Sequence, residues 1–209
     1  EIFINDLHNY LIQKFDSNYK FMRQIGSKGD GNFKFDLPYF SSFDENYSRF
    51  ICSDFNNDRI VSFSLELDNF KLILGGKYLK GFYRRPTSIT FDEEGNCFIA
   101  NRSSGDISLM HKNLNFIDNL SLDKPLHRPA CIGVLNISNK KYLAILERNN
   151  IGRSSIGIYN FSNDGQCLSL SKRLKNLNIN DAQDLIISKK NILFIADTLN
   201  RRILRIDTI

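Results

Sequence analysis

One phrase recurs five times along this 209-residue chain. The copies start at Ile2, Phe50, Cys97, Leu143 and Leu193. In each, a short apolar run ends in a polar residue: Asp6, Asp54, Asn101, Glu147 or Asp197. Three positions on stands Asn9, Asn57, Ser104, Asn150 or Asn200, and an isoleucine (Ile12, Ile60, Ile107, Ile156, Ile203) then opens a second apolar run. Successive anchors lie 48, 47, 46 and 50 residues apart. Self-similarity at this period identifies a repeat architecture.

No stretch of useful length has helical periodicity. The apolar runs are short and alternate in pairs, as half-buried strands do. Each repeat holds up to four of them. The first is 39–44, 87–92, 131–136 or 184–189; the second ends at the anchor; the third carries the isoleucine; the fourth is 21–26, 71–76, 116–121 or 167–172. Four antiparallel strands in fewer than about fifty residues make a propeller blade. The expected fold is all-β, one incomplete propeller over 1–209 with approximate blades at 1–37, 38–85, 86–128, 129–181 and 182–209. A six-bladed ring at this spacing needs about 290 residues. The chain is therefore expected to cover four to five blades of a larger ring, with a preceding segment closing the last one.

The turn after each anchor has a physical explanation. A carboxylate there can accept bonds from backbone N–H groups, and asparagine tolerates left-handed backbone and can mimic a turn. Asp6, Asn9, Asp54, Asn57, Asn101, Glu147, Asn150, Asp197 and Asn200 are accordingly expected to be structural rather than catalytic. Arg59 and Arg202, five positions after their anchors, are expected to pair with a neighbouring anchor.

DFNNDRIVSF (54–63), DTLNRRILRID (197–207) and the Gly-rich QIGSKGDGNFKFDLP (24–38) resemble the signature of NHL repeats. The pattern is most similar to the C-terminal NHL domains of tripartite-motif proteins. It is weaker at 97–111 and poor at 143–160, where the turn carries about three extra residues. The resemblance implies an NHL-type propeller, a cytoplasmic setting and either RNA recognition or recruitment of a protein, such as a ubiquitin-ligase substrate. A RING domain, where one exists, lies outside these residues.

Cys52, Cys97, Cys131 and Cys167 form no CxxC pair and have no metal spacing. They read as free, buried, weakly polar groups, in keeping with a reducing compartment. His8, His111 and His127 fall on different turns, and no HExxH or G-x-S-x-G is present. A metal-dependent enzyme resembling peptidylglycine amidating lyase is a remote alternative. The expectation is no enzymatic activity, no metal and no cofactor. No apolar run reaches the roughly eighteen residues of a membrane helix, so no membrane partner is expected.

What remains is a binding surface. Propeller topology puts the second-to-third-strand turns and the inter-blade connections on one rim, here called the top. Basic residues gather there, whereas Asp16, Asp44, Glu66, Asp92 and Glu93 fall on the other rim. A one-sided basic surface is the footprint of a polyanion partner. Tyr10, Phe33, Phe55, Tyr78, Phe82 and Tyr83 interleave with the bases, most densely in GGKYLKGFYRRP (75–86). Bases can contact phosphates, and aromatic planes can stack nucleobases; the alternative is that such aromatics pack beneath the loops. Tyr10, Tyr83, Arg84, Arg85, Arg102, Arg128, Arg148 and Arg201 are the expected RNA- or partner-binding residues.

Overall fold

A computed structural model describes residues 1–44, 47–76, 83–112, 116–149, 151–162 and 165–207, with the backbone alone for 72–74, 116 and 117. Five antiparallel sheets follow one another in sequence. The first contains β1 (Ile2–Asp6), β2 (Leu11–Phe15) and β3 (Phe21–Ile25). The second contains β4 (Pro38–Asp44), β5 (Arg49–Asp54), β6 (Arg59–Ser64) and β7 (Lys71–Gly75). The third contains β8 (Pro86–Phe91), β9 (Cys97–Asn101), β10 (Asp106–Met110) and β11 (Phe116–Asn119). The fourth contains β13 (Pro129–Ile137), β14 (Lys140–Arg148), β15 (Ser154–Phe161) and β16 (Cys167–Leu174), with β12 (Ser121–Leu122) added in parallel to β16. The fifth contains β17 (Ala182–Ile187), β18 (Ile192–Asp197) and β19 (Arg202–Asp207). Among the described residues no helix is long and apolar enough to cross a membrane.

The innermost strands β4, β8, β13 and β17 pack side by side in that order around an axis, and the rest of each sheet radiates outward. This is a β-propeller, the all-β fold read from the repeat. Four apolar layers fill the gaps between successive sheets. Phe35, Phe50 and Phe63 pack between the first two sheets, and Ile51, Tyr83 and Ile99 between the second and third. Phe98, Ile107 and Leu143 fill the next gap, and Leu146, Leu185 and Ile195 the last. β5, β9 and β14 each contribute to both of their flanking layers because successive side chains point to opposite faces. Cys52, Cys97 and Cys131 are buried and free; Cys167, on the outermost strand of its sheet, is exposed, contrary to the expectation of four buried thiols.

Every innermost strand begins with the same irregularity. Pro38, Pro86, Pro129 and Ala182 pair with the anchors Asp54, Asn101, Glu147 and Asp197, and a bulge follows at once. The residue before each strand, Leu37, Arg85, Arg128 or Asp181, has positive φ, between 47° and 62°. Such backbone is costly for non-glycine residues and needs neighbours to hold it. Here the N–H of the residue after the anchor supplies part of that support. Phe55, Arg102 and Arg148 donate to the carbonyls of Leu37, Arg85 and Arg128 at 3.0, 3.1 and 3.4 Å.

The anchors complete the clamp. Asp54 accepts the Asp36 N–H at 2.7 Å, Asn57 Nδ2 at 2.7 Å and Arg59 Nε at 2.7 Å. The Arg59 fork continues to the carbonyls of Asp30, Gly31 and Lys34. Asp197 repeats the arrangement with the Asn180 N–H, Asn200 and Arg202 at 2.7–3.1 Å. Arg59 and Arg202 thus bind the anchor of their own sheet, not a neighbouring one. At five positions along a tight hairpin, the arginine stands directly across from its carboxylate: Asp54 pairs with Arg59 and Asp197 with Arg202 in register.

The other copies diverge. Glu147 accepts the His127 N–H at 2.8 Å, but its cation is Arg173 from the outermost strand, at 3.0 Å. Asn101 reverses the polarity, donating to Asp106 at 2.7 Å and Ser108 at 2.8 Å. There the connecting loop is held by the main chain instead, through Leu126 N–H to the Gly105 carbonyl at 2.8 Å. Asp6 binds Asn9 in its own turn, with the Asn9 N–H and Nδ2 both donating to it. Asn150 lies outside the described residues.

The same motif titrates in opposite directions in two sheets. Burial pushes the Asp54 carboxyl up despite its hydrogen bonds, because sheets pack on both sides of it. Burial would also raise Asp197, but in the last sheet its cover is thinner. Bonds from the Asn180 N–H, Asn200 and Arg202 outweigh it and hold that carboxyl below its ordinary value. Asp54→Ala strands a buried guanidinium and should cost about 3–5 kcal/mol. Asp197→Ala, whose partner Arg202 has a side chain 42% exposed, should cost about 1–2 kcal/mol. Denaturant unfolding checks the order. Because the folded Asp197 value is depressed, its contribution is full above about pH 4 and is lost as pH falls further. The melting-temperature gap between the native chain and Asp197→Asn should therefore narrow below about pH 4.

Candidate functional site

Two repeat positions face the top of the axis: the residue before each innermost strand and the residue after each anchor. Sheets two to five supply Leu37, Arg85, Arg128 and Asp181 at the first, and Phe55, Arg102, Arg148 and Thr198 at the second. Four arginines and one aspartate therefore sit at these two repeat positions, brought together from segments as distant in sequence as Arg85 and Asp181.

The contacts form a chain across the axis. The Phe55 ring is nearly buried and stacks on Tyr39 with centroids 5.1 Å apart. The Arg85 and Arg102 guanidinium carbons lie 5.7 and 5.9 Å from the Phe55 centroid, within cation–π range. The Arg148 NH2 group lies 3.3 Å from the Tyr39 hydroxyl, and its NH1 pairs with Asp181 at 2.9 Å. Tyr39 reaches this point because it is the extra residue of the bulge opening β4, and bulges re-aim side chains. Just below, Phe40 packs against both the second–third and the fourth–fifth layers, narrowing the axis under the arginines.

Electrostatically the cluster is unbalanced. Burial disfavours the charged form of Arg102, and the charges of Arg148, Arg128 and Arg85 push in the same direction, so its pKa lies below the ordinary arginine value. Asp181 is the one carboxylate in the ion pairs of these four arginines among the described residues. Such a cluster leaves a positive potential at this end of the axis.

The sequence-predicted residues divide. Arg85, Arg102, Arg128 and Arg148 are brought together. Arg84 is exposed beside them, its carbonyl accepting the Ser103 N–H. Arg201 is exposed on the last hairpin, and Tyr10 lies in the first sheet, where Lys28 sits 5.3 Å from its ring. Tyr83 must be corrected. It is 2% exposed, its hydroxyl is 3.0 Å from Met110 Sδ, and burial raises its pKa. It fills the slot beside Gly75, which has φ 94° and where an added Cβ would stand 2.8 Å from the Tyr83 ring, leaving no room for a side chain. It cannot stack a nucleobase. Phe33 also packs beneath its loop, against Phe63 and Phe70, and Tyr78 and Phe82 lie outside the described residues. Tyr39 and Asp181 are the members that sequence reasoning missed.

The opposite rim carries a cleft of about 650 Å³ between the third and fourth sheets, lined in part by His111, Lys141 and Phe161. Lys141 is already engaged there, with Asp92 at 2.7 Å. Among the described residues no group of three or more His, Cys, Asp or Glu could hold a metal ion.

No protein-family model and no curated protein matches the chain. Solved structures do. A catalytically inactive virginiamycin B lyase from Staphylococcus aureus, with quinupristin, is similar at TM-score 0.69 and 12% identity, over 97% of this chain and 61% of the lyase. A putative 6-phosphogluconolactonase from Bacteroides uniformis is similar at 0.64 and 16%, over 93% of this chain and 59% of that one. The nidogen/laminin complex gives 0.65 and 14%, over 98% and 74%. The chain thus spans about three fifths of the length of the first two. These likenesses show the propeller fold and do not confirm the resemblance to NHL repeats or tripartite-motif proteins. They also correct the expectation that the chain is not an enzyme: the fold is shared with a lyase and a putative lactonase, so it gives no ground for that exclusion.

The corrected placement of Tyr83 has a measurable consequence. Tyr83→Ala should destabilise the chain by about 3–5 kcal/mol, as loss of a buried aromatic does, whereas Tyr83→Phe should be close to neutral. Denaturant unfolding of the two variants checks this.

Proposed function

We propose that this chain is a binding propeller whose top face engages an anionic partner, RNA being the class that its charge pattern favours. The observation that carries this reading is the convergence of Arg85, Arg102, Arg128 and Arg148 around Tyr39 and Phe55, with Asp181 as their carboxylate. Guanidinium groups bind phosphate oxygens in a fixed fork, and their planes stack on bases as well as on rings. The resemblance of 54–63 and 197–207 to NHL repeats of tripartite-motif proteins points the same way. The likeness to the nidogen/laminin complex illustrates the competing reading, recruitment of a protein by the same fold.

The test is the binding of single-stranded RNA, followed by fluorescence anisotropy over a salt series. Affinity should fall steeply with salt, because bound counterions are released from the phosphates. Arg84→Glu combined with Arg85→Glu alters exposed side chains and should leave folding intact. It should lower RNA affinity at least tenfold and make the salt slope shallower by about one unit. Unchanged affinity and slope in the folded double variant would contradict the RNA reading and favour an acidic protein partner.

A further inference from the structure

Arg148 differs from the other buried arginine in one respect. Arg59 is 5% exposed and each of its three nitrogens is bonded: Nε and both terminal nitrogens reach four acceptors at 2.6–3.1 Å. Arg148 is 7% exposed, and its side chain 9%. One terminal nitrogen meets Asp181, and the other makes a long contact to Tyr39 Oη. Its Nε, fully shielded from solvent, has no partner among the described residues. Guanidinium has five donors and no acceptor, and an unpaired buried donor is costly. Asp181 cannot offset this alone, since it also accepts Gln183 Nε2 at 2.9 Å and its side chain is 33% exposed.

Around this donor stand three more cations. Arg102 and Arg85 are fixed against Phe55, and the Arg148 N–H is bonded to the Arg128 carbonyl. Below them Phe40 packs against the second–third and fourth–fifth layers. Four guanidinium groups thus gather at one end of the axis with a single carboxylate in their ion pairs among the described residues. A group with three acceptor oxygens and two negative charges suits several forks at once better than a carboxylate, which offers two oxygens and one charge.

We propose that Arg148, Arg102 and Arg128 form a seat for a single phosphoryl dianion at the mouth of the axis, the shielded Arg148 Nε–H becoming a donor to it when the surrounding side chains part to admit it. This rests on the reading of the top face as anion-binding and deepens it: the partner presents a phosphate monoester, not only a chain of diesters. Two sources share that chemistry, the terminal phosphate of a nucleic-acid strand and a free or small-molecule phosphate.

The experiment uses the complete chain and two probes. Inorganic phosphate is titrated calorimetrically against chloride at matched ionic strength. A short oligoribonucleotide with a 5′-phosphate is compared with the same strand bearing a 5′-hydroxyl. The expected result is saturable phosphate binding that raises the melting temperature. Arg102→Ala, at a half-buried position, should weaken it at least tenfold with little change in melting in phosphate-free buffer. Arg148→Lys keeps the charge but loses Nε–H and the fork, and should weaken it similarly. Should Arg148→Lys melt early, Arg102→Ala alone decides. A preference of tenfold or more for the 5′-phosphorylated strand, lost in Arg102→Ala, assigns the seat to a strand end. Phosphate binding without that preference assigns it to a small phosphate. Phosphate bound no better than chloride, or equally well by Arg102→Ala, overturns the seat. RNA binding that persists in that case, sensitive to Arg84 and Arg85 but not to the 5′ group, leaves the wider top-face reading standing.

Discussion

The carboxylate that ends the second strand of a sheet holds the rest of this structure in place. Asp54 ties three things together: the hairpin that follows it, through Asn57 and Arg59; the loop arriving from the previous sheet, through the Asp36 N–H; and the start of the innermost strand, through its pairing with Pro38. A buried carboxylate is tolerated only when its oxygens are occupied, and here both are. With the loop fixed, the residue before the strand is locked at positive φ and the residue after the anchor points to the axis. The arginine cluster follows from what the other sheets share with that clamp, the positive φ before the innermost strand and the main-chain bond from the residue after the anchor. It does not need a surface of its own, only basic residues at two positions that every repeat already directs to the same place.

The divergence among repeats then becomes informative. Where the clamp is intact, as at Asp54 and Asp197, the arginine of the motif is consumed by its own anchor. In the fourth sheet the anchor Glu147 draws its cation from Arg173, and the buried arginine is instead Arg148, one position on and facing the axis. In the third sheet the neutral Asn101 replaces the carboxylate, and Arg102 beside it has no local acid to bind. The two sheets that resemble the repeat least are the ones that furnish Arg102 and Arg148 to the axis. Departures from a structural rule concentrate where a surface serves another purpose.

What was legible in the sequence was local. The Asp, Asn and Arg of the hairpin lie within five residues, so their chemistry could be read from spacing, although spacing did not reveal that Arg59 folds back on its own anchor. The basic rim was legible because topology sorts loops by end. Tyr83 was misread because composition cannot tell whether a loop aromatic points to solvent or drops between two sheets; here the positive φ at Gly75 opens a slot beneath the loop. Tyr39 was hidden because it looks like an ordinary strand residue until the bulge turns it. Asp181 was hidden because it precedes Ala182, whereas the other innermost strands announce themselves with proline.

The most direct test of the account is to observe the two buried arginines side by side. The Nε–H signals of Arg59 and Arg148 can be followed by arginine side-chain NMR while inorganic phosphate is added at constant ionic strength. The account predicts that the Arg148 signal shifts with saturation, while that of Arg59, already bound to Asp54, does not move. An unmoved Arg148 signal, or equal movement of both, would contradict it.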